Sequence, residues 1–147
     1  MVKTLDDKPE LIEHIGVALW RAALQWRSRM REEMVARGFP WHGEARGEVL
    51  AHVGPGGTPQ SELPERMGFT KQAVQQLVDQ LVADGVVERQ SDPADKRARR
   101  IVLTELGLRD FAERNRIKRA IEADYRQKLG DRRFNRLEKY LRRLTEE

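Results

Sequence analysis

The 147-residue chain contains no cysteine. A disulfide framework, a thiolate zinc site and a cysteine-based redox switch are therefore excluded, and we expect the protein to act in the cytoplasm. Aromatic residues make up only 6% of the chain, which argues against a surface that stacks on single-stranded bases. No apolar run approaches the ~20 residues of a membrane span. Residues 1–10 contain no apolar signal region, so we expect neither export nor contact with a membrane.

The sequence also lacks a recognisable catalytic or metal-binding arrangement. It has no glycine-rich phosphate loop, nucleophile elbow or Ser–His–acid pattern. Histidine occurs only at His14, His42 and His52, and no two of them have the four-residue spacing of paired metal ligands on a helix. We therefore expect no enzyme activity, no cofactor and no metal site.

Charge, in contrast, is abundant. Charged residues make up 35% of the chain, and 28 basic residues against 24 acidic ones give a net charge of +4 and a pI near 9.7. A mildly basic protein binds polyanions only where the charge is concentrated on one surface. The position of the cations along the chain is therefore more informative than their sum.

Hydrophobic periodicity predicts a mainly helical chain with one small β-hairpin. We predict helices over residues 10–37, 44–53, 60–67, 70–84, 105–129 and 131–146, and strands over residues 86–90 and 99–103. The first and last helices carry large apolar residues, namely Trp20, Trp26, Met30 and Met34, and Phe134, Leu137, Tyr140, Leu141 and Leu144. A lone helix does not leave so much apolar surface in water, so these helices should pack together and against a second copy of the chain.

The predicted helix at 70–84 has two distinct faces. The buried stripe is predicted to contain Ala73, Val74, Leu77, Val78, Leu81 and Val82. The opposite face carries Lys71, Gln72, Gln75, Gln76 and Asp79. Thr70 is suited to cap the helix start and Gly85 to end it. Because a glutamine amide donates and accepts at once, it matches the edge of adenine, so this face is typical of a helix that reads bases; a merely solvated face is the alternative.

The segment just upstream provides the other half of a helix-turn-helix. Leu63 can pack against the buried stripe, and Gly68 permits a sharp turn between the two helices. Pro64 leaves two alternatives open. If the helix begins near Ser61, the proline lies in the tolerated first turn; if it begins at Pro59, a kink is expected.

The predicted hairpin that follows is basic. Its cations are Arg89, Lys96, Arg97, Arg99 and Arg100. Beside a reading helix, such a hairpin is the wing of a winged helix, whose cations reach phosphates or a narrow minor groove. Asp95 is expected to stabilise the wing by an ion pair with the Arg97 side chain. A solvated hairpin whose charges bind nothing is the alternative.

These residues resemble the MarR family of winged-helix transcription regulators, in which an Asp-x-Arg wing runs into a Leu-Thr-x-x-Gly strand end. The matching positions are Asp95, Arg97, Leu103, Thr104 and Gly107. Residues 62–89 resemble the two central helices and first wing strand of the family, and the flanking helices agree over nearly the whole chain. The family usually has alanine where this chain has Pro64.

The resemblance implies one domain over residues 1–147, mainly α with a small β-hairpin wing. A winged helix-turn-helix lobe at 44–105 would be flanked by dimerisation helices at 8–38 and 106–147. It also implies a homodimer that binds a pseudo-palindromic operator in double-stranded DNA as a sequence-specific regulator, which we expect to be a repressor. The expected DNA contacts are Thr70, Lys71, Gln72, Gln75, Gln76, Lys96, Arg97 and Arg99.

Many members of the family respond to small aromatic ligands bound between the dimerisation helices and the DNA-binding lobe. The candidates for such a pocket are Trp20, Trp41 and His42, although tryptophans at helical spacing are more often core or dimer contacts. Two alternative functions remain: a non-specific architectural DNA-binding protein, and a winged helix that grips a partner protein.

Overall fold

The computed structural model describes residues 8–146, and in that range the chain forms six α-helices and three short strands. The helices are α1 (Ile15–Ala36), α2 (Gly47–Leu50), α3 (Leu63–Met67), α4 (Lys71–Ala83), α5 (Glu105–Leu129) and α6 (Asp131–Thr145), and the strands are β1 (Thr58–Pro59), β2 (Val87–Ser91) and β3 (Arg99–Leu103). The predicted fold class is confirmed. Residues 1–7, for which no export signal is expected, lie outside the described range, as does residue 147.

The start of α1 differs from the prediction. The helix begins at Ile15 rather than at residue 10. The His14 ring accepts a hydrogen bond from the Gly16 backbone N–H at 3.1 Å, and this contact satisfies one of the donors that a helix start leaves unpaired. Leu11 therefore lies outside the helix and is 97% exposed.

The second helix is shorter than the predicted range of 44–53. A 3₁₀ turn at Pro40–Gly43 precedes it, and the chain leaves that turn in an extended conformation at Glu44. The helix α2 then covers only Gly47–Leu50. Strand β1 is absent from the prediction, because two residues are too few to show the alternation that identifies a strand.

The three strands form an antiparallel sheet in the order β1–β3–β2. In the hairpin, Val87 pairs with Leu103 and Ser91 with Arg99, so β2 begins one residue later than predicted. The strand β3 has the predicted bounds.

Two hydrophobic cores support these elements. The core of the winged-helix lobe joins α2, α3, α4 and the sheet, and it consists of Trp41, Val49, Leu50, Val53, Leu63, Val74, Val78, Leu81, Val86, Val87, Ile101 and Leu103. A smaller core joins α1 to α5 through Met30, Met34, Ile117 and Ile121. Because Phe39 packs against both cores, it links the lobe to the long helices.

The position of Pro64 resolves the two alternatives for the helix-turn-helix. The helix α3 begins at Leu63, so Pro64 lies in its first turn, where a missing backbone N–H costs no hydrogen bond. A separate 3₁₀ turn at Gln60–Glu62 carries the chain into the helix. Gly68 ends α3 with φ +68°, the left-handed conformation that glycine adopts without strain.

The segment from Leu103 to Gly107 connects the sheet to α5. Thr104 caps α5, since its Oγ1 accepts from the Gly107 backbone N–H at 3.2 Å and donates to the Gly85 carbonyl at 2.6 Å. A Cβ atom at Gly107 would collide with the Val86 carbonyl oxygen. Each fixed position of the Leu-Thr-x-x-Gly pattern therefore has a physical role. Leu103 packs in the core, Thr104 caps α5, and Gly107 allows the backbone to approach Val86 closely.

Candidate nucleic-acid interface

The helix α4 is anchored in the lobe by its apolar face. Val74, Val78 and Leu81 are at most 1% exposed, as expected for the buried stripe. Val82, which was assigned to the same stripe, is 39% exposed, because it lies at the border of that face rather than at its centre. Thr70 caps the helix as predicted and accepts a hydrogen bond from the Ala73 backbone N–H at 3.1 Å.

The opposite face of α4 is polar and accessible. Its exposed residues include the predicted contacts Lys71, Gln72, Gln75 and Gln76, and Thr70 at the helix start is exposed as well. Side chains on an exposed, firmly anchored helix are well placed to enter the major groove, which is wide enough for one α-helix.

The Gln75 amide forms hydrogen bonds with two side chains that the sequence pattern does not indicate. Its Oε1 accepts from Gln60 Nε2 at 2.6 Å, and its Nε2 donates to Asp79 Oδ1 at 3.2 Å. Arg89 on β2 closes the arrangement, since its Nε donates to Gln60 Oε1 at 3.0 Å and its Nη1 lies 2.7 Å from Asp79 Oδ1. We call these four residues the reading-helix ring. Arg89 was expected to reach DNA phosphates, but it is bound to α4 instead.

The exposed cations of the wing are Lys96, Arg97 and Arg99, which we call the wing tip. Among the ion pairs formed within residues 8–146, none includes a wing-tip residue. Arg100 differs, because its Nη2 donates to the Gly56 and Gly57 carbonyl oxygens at 2.9 and 3.1 Å. This contact attaches the wing to the turn before β1, and the expected role of Arg100 at phosphates stays a prediction.

Asp95 contacts the wing backbone rather than a side chain. Its Oδ1 accepts from the Arg97 backbone N–H at 3.0 Å, and the expected ion pair with the Arg97 guanidinium is not among the contacts of the described residues. Asp92 similarly accepts from the Ala94 N–H at 2.9 Å. An aspartate two residues before an N–H forms this local bond readily, so Asp95 fixes the loop that carries Lys96 and Arg97.

A cavity of about 640 Å³ lies between α1, α2 and α5. Its apolar wall includes Leu24, Trp26, Met30 and Met34, and its polar wall includes Arg27, Arg31, His42, Glu44, Glu48, His52, Arg114 and Lys118. Of the three candidates for a ligand pocket, only His42 lines this cavity. Trp41 is buried in the lobe core, and Trp20 is 67% exposed on α1. The tryptophan that lines the cavity is Trp26.

Asp110 on α5 connects the cavity wall to the lobe core, and it was missed at the sequence level. Its fully buried carboxylate accepts from Trp41 Nε1 at 2.8 Å, His42 Nε2 at 2.7 Å and Arg114 Nε at 2.7 Å. Burial raises the pKa of Asp110, but the hydrogen bonds from His42 and Trp41 and the electrostatic attraction of His42 and Arg114 outweigh burial, so the pKa lies below its ordinary value. The only signal in the sequence is the spacing of Asp110 and Arg114, one helical turn apart.

The cavity wall is positively charged on the α5 side. The Arg114 side chain is 7% exposed, and its Nη2 has no hydrogen-bond partner within residues 8–146. Burial, followed by the charge of Arg114, lowers the pKa of Lys118. An anion placed beside Lys118 would therefore relieve the repulsion between these two cations.

Comparison with known proteins agrees with these features. The MarR family model matches residues 47–98, whereas a search of curated proteins gave no match. The chain is similar to the reduced form of MarR from E. coli, with 19% identity, a TM-score of 0.74 and coverage of 93% of this chain and 100% of the other.

Two further structures show the same similarity. A MarR-family transcriptional regulator from Rhodococcus sp. RHA1 has 23% identity and a TM-score of 0.66, with 97% of each chain covered. The YusO protein from Bacillus subtilis has 26% identity and a TM-score of 0.62, with coverage of 88% of this chain and 91% of the other. The family model matches the helix-turn-helix and the wing loop, and the fold of the solved structures agrees over the remaining helices. Residues 47–98 are therefore similar to the MarR family, and most of the chain shares the fold of its solved structures.

Proposed function

We propose that the protein is a homodimeric, sequence-specific regulator that binds double-stranded DNA and represses transcription. One observation carries the proposal: two kinds of side chain stand on neighbouring surfaces. The reading helix α4 presents exposed amides, and the wing tip presents cations that form no ion pair among the described residues. Amides can specify bases, whereas cations bind phosphates of any sequence.

The apolar surface of the terminal helices supports the homodimer. Ile15 and Trp20 on α1 are 70% and 67% exposed, and Tyr140 and Leu144 on α6 are 54% and 69% exposed. A second copy of the chain would bury this surface. A two-fold dimer requires its reading helices to enter successive major grooves about 34–36 Å apart, so the operator should be a pseudo-palindrome.

The cavity supports a further part of the proposal, namely release from DNA by a small aromatic anion. Its volume lies in the usual range for small-molecule sites, and its wall combines Trp26 and methionines with Arg114 and Lys118. The site lies where α1 and α5 meet α2 of the lobe. A ligand that binds better when these elements are spread apart would shift the dimer toward a spacing that does not fit the operator.

The DNA-binding proposal is tested by selecting binding sites from a pool of random duplexes with the wild-type protein. The enriched duplex and a scrambled duplex are then titrated at several salt concentrations. We expect an enriched pseudo-palindrome with half-site centres about 10 base pairs apart. Affinity for both duplexes should fall as salt rises, because phosphate contacts release counterions.

The same measurement separates the two alternatives. Salt-dependent binding without any enriched sequence would favour a non-specific architectural protein and refute the specific regulator. A DNA affinity that is weak at low salt and unchanged by Arg97→Glu would favour a module that binds a partner protein.

The ligand proposal is tested with benzoate and benzamide, which have similar shapes but differ in charge. Benzoate should raise the melting temperature and weaken operator binding more than benzamide does. Lys118→Gln should reduce the difference between the two compounds. Equal effects of benzoate and benzamide on the wild type would contradict an anion site.

A further inference from the structure

The reading-helix ring joins three separate elements around one base-reading candidate. Gln60 comes from the 3₁₀ turn before α3, Gln75 and Asp79 from α4, and Arg89 from β2. Every bond in the ring has a defined direction. Arg89 donates to Gln60 and Asp79, Gln60 donates to Gln75, and Gln75 donates to Asp79.

We propose that Asp79 and Arg89 are positioning residues that set the orientation of the Gln75 amide and thereby the base that it reads. The inference deepens the proposed function and depends on it. Neither residue has to touch a base to act in this way. Their contribution is to make one of the two orientations of the amide much more favourable than the other.

The chemistry of the four side chains explains this selection. An arginine only donates hydrogen bonds and a carboxylate only accepts them, whereas each glutamine can be turned either way. Arg89 therefore fixes which end of Gln60 faces it, so the Gln60 NH₂ group faces Gln75. If the Gln75 amide were turned over, its NH₂ group would face the NH₂ group of Gln60, and its oxygen would face the Asp79 carboxylate. Both contacts would be repulsive.

The fixed amide retains capacity for a base. A glutamine amide has two donor hydrogens and two acceptor lone pairs. The ring uses one of each on Gln75, which leaves one donor and one acceptor. That pair is what a bidentate contact with adenine requires.

The ring also neutralises the negative charge of Asp79 on this face of α4. The Asp79 side chain is 54% exposed and lies one helical turn from Gln75, so DNA phosphates would repel it. The Arg89 guanidinium, only 22% exposed and 2.7 Å away, offsets this charge. The same contact fixes the root of the wing against the reading helix.

The experiment compares affinities of the full-length protein for its selected duplex and for duplexes that carry each single base-pair change. Four variants are measured beside the wild type: Gln75→Ala, Asp79→Asn, the double variant and Asp79→Glu. Asp79→Asn keeps the size of the side chain but can present either an oxygen or an NH₂ group to Gln75. Glu65→Gln is the control, because it removes an acidic charge from α3 outside the ring.

We expect Gln75→Ala to lower discrimination at one base pair of each half-site by about 5- to 150-fold, the range for one bidentate contact. Asp79→Asn should lower discrimination at the same base pair by at least about fivefold, and the double variant should lose no more than Gln75→Ala alone. Asp79→Glu should retain more of this discrimination than Asp79→Asn does, because glutamate, like aspartate, only accepts hydrogen bonds. Glu65→Gln should change affinity for all duplexes alike and leave discrimination intact.

Two results would overturn the inference while leaving the proposed function in place: Gln75→Ala without loss at any base pair, or Asp79→Asn with unchanged discrimination. A wild-type protein that prefers no sequence would overturn both proposals. Thermal melting followed by circular dichroism checks that each variant is folded. Because the Asp79 side chain is exposed, we expect its substitutions to leave the fold intact.

Discussion

Replacing Asp110 by asparagine should destabilise the protein more than any change to an exposed ion pair. The carboxylate is fully buried and accepts three hydrogen bonds, and the Arg114 side chain beside it is only 7% exposed. In Asp110→Asn the guanidinium loses its counter-charge inside the protein, and an NH₂ group faces donors. Breaking a buried ion pair on one side costs about 3–5 kcal/mol, a large share of the ~5–15 kcal/mol that stabilises a typical domain.

A matched control lies on the same helix. Glu105 and Arg109 have the same four-residue spacing, but their side chains are 92% and 63% exposed and the nearest N–O distance is 3.7 Å. Glu105→Gln should cost less than about 1 kcal/mol, as exposed pairs do. The free energy of unfolding is measured by denaturant titration at one protein concentration, since dimer formation would make stability concentration-dependent. Equal losses from the two substitutions would refute the role of the buried pair.

The difference in unfolding free energy between the wild type and Asp110→Asn should also depend on pH. Because the pKa of Asp110 lies below its ordinary value of 3.8 in the folded protein, its ionised form stabilises the fold above that value. This contribution is lost as pH falls through the depressed folded pKa. The stability gap between the wild type and Asp110→Asn should therefore be full at neutral pH and narrow below about pH 4. A gap that widens in acid would contradict the assignment.

Two further substitutions test the residues that support the proposed DNA-binding surface. Gly107→Ala should lower stability by about 1–3 kcal/mol in denaturant titration, because overpacking against the Val86 carbonyl oxygen forces a backbone shift; an unchanged midpoint would contradict the close approach. Thr70→Ala should cost about 1 kcal/mol through loss of the cap on the Ala73 N–H, whereas Thr70→Ser should retain most of it; equal losses from both would exclude a capping role.

The parts of the fold that could be predicted are those set by local chemistry. The start of α4 follows from a threonine that caps its own helix, and its end from Gly85, which has φ +77°. The sharp turn at Gly68 and the bounds of β3 follow from equally short-range signals. Each of these features depends on residues within about one helical turn of each other, so the pattern and its cause lie in the same stretch of sequence.

The parts that could not be predicted depend on contacts between distant residues. Trp41 was a candidate for a ligand pocket, but Asp110, 69 positions later, holds its indole N–H in the lobe core. Arg89 was expected to reach phosphates, yet Gln60, 29 positions earlier, and Asp79 bind it to the reading helix. Composition and periodicity identify a cation or an aromatic residue, but they do not identify its partner. The DNA contacts themselves stay predictions.

The division of roles between the reading helix and the wing is the central claim, and one affinity ratio tests it most directly. The ratio of affinities for the selected and scrambled duplexes is measured for Gln76→Ala, Lys96→Ala and the control Lys128→Ala, which removes a charge from the far end of α5. Gln76→Ala should lower the ratio about 5- to 150-fold, the loss of one bidentate contact. Lys96→Ala should weaken binding to both duplexes alike and reduce the salt slope by about 1 per contact, and Lys128→Ala should change neither. If Gln76→Ala and Lys96→Ala lower the ratio equally, or if neither differs from Lys128→Ala, the claim is wrong.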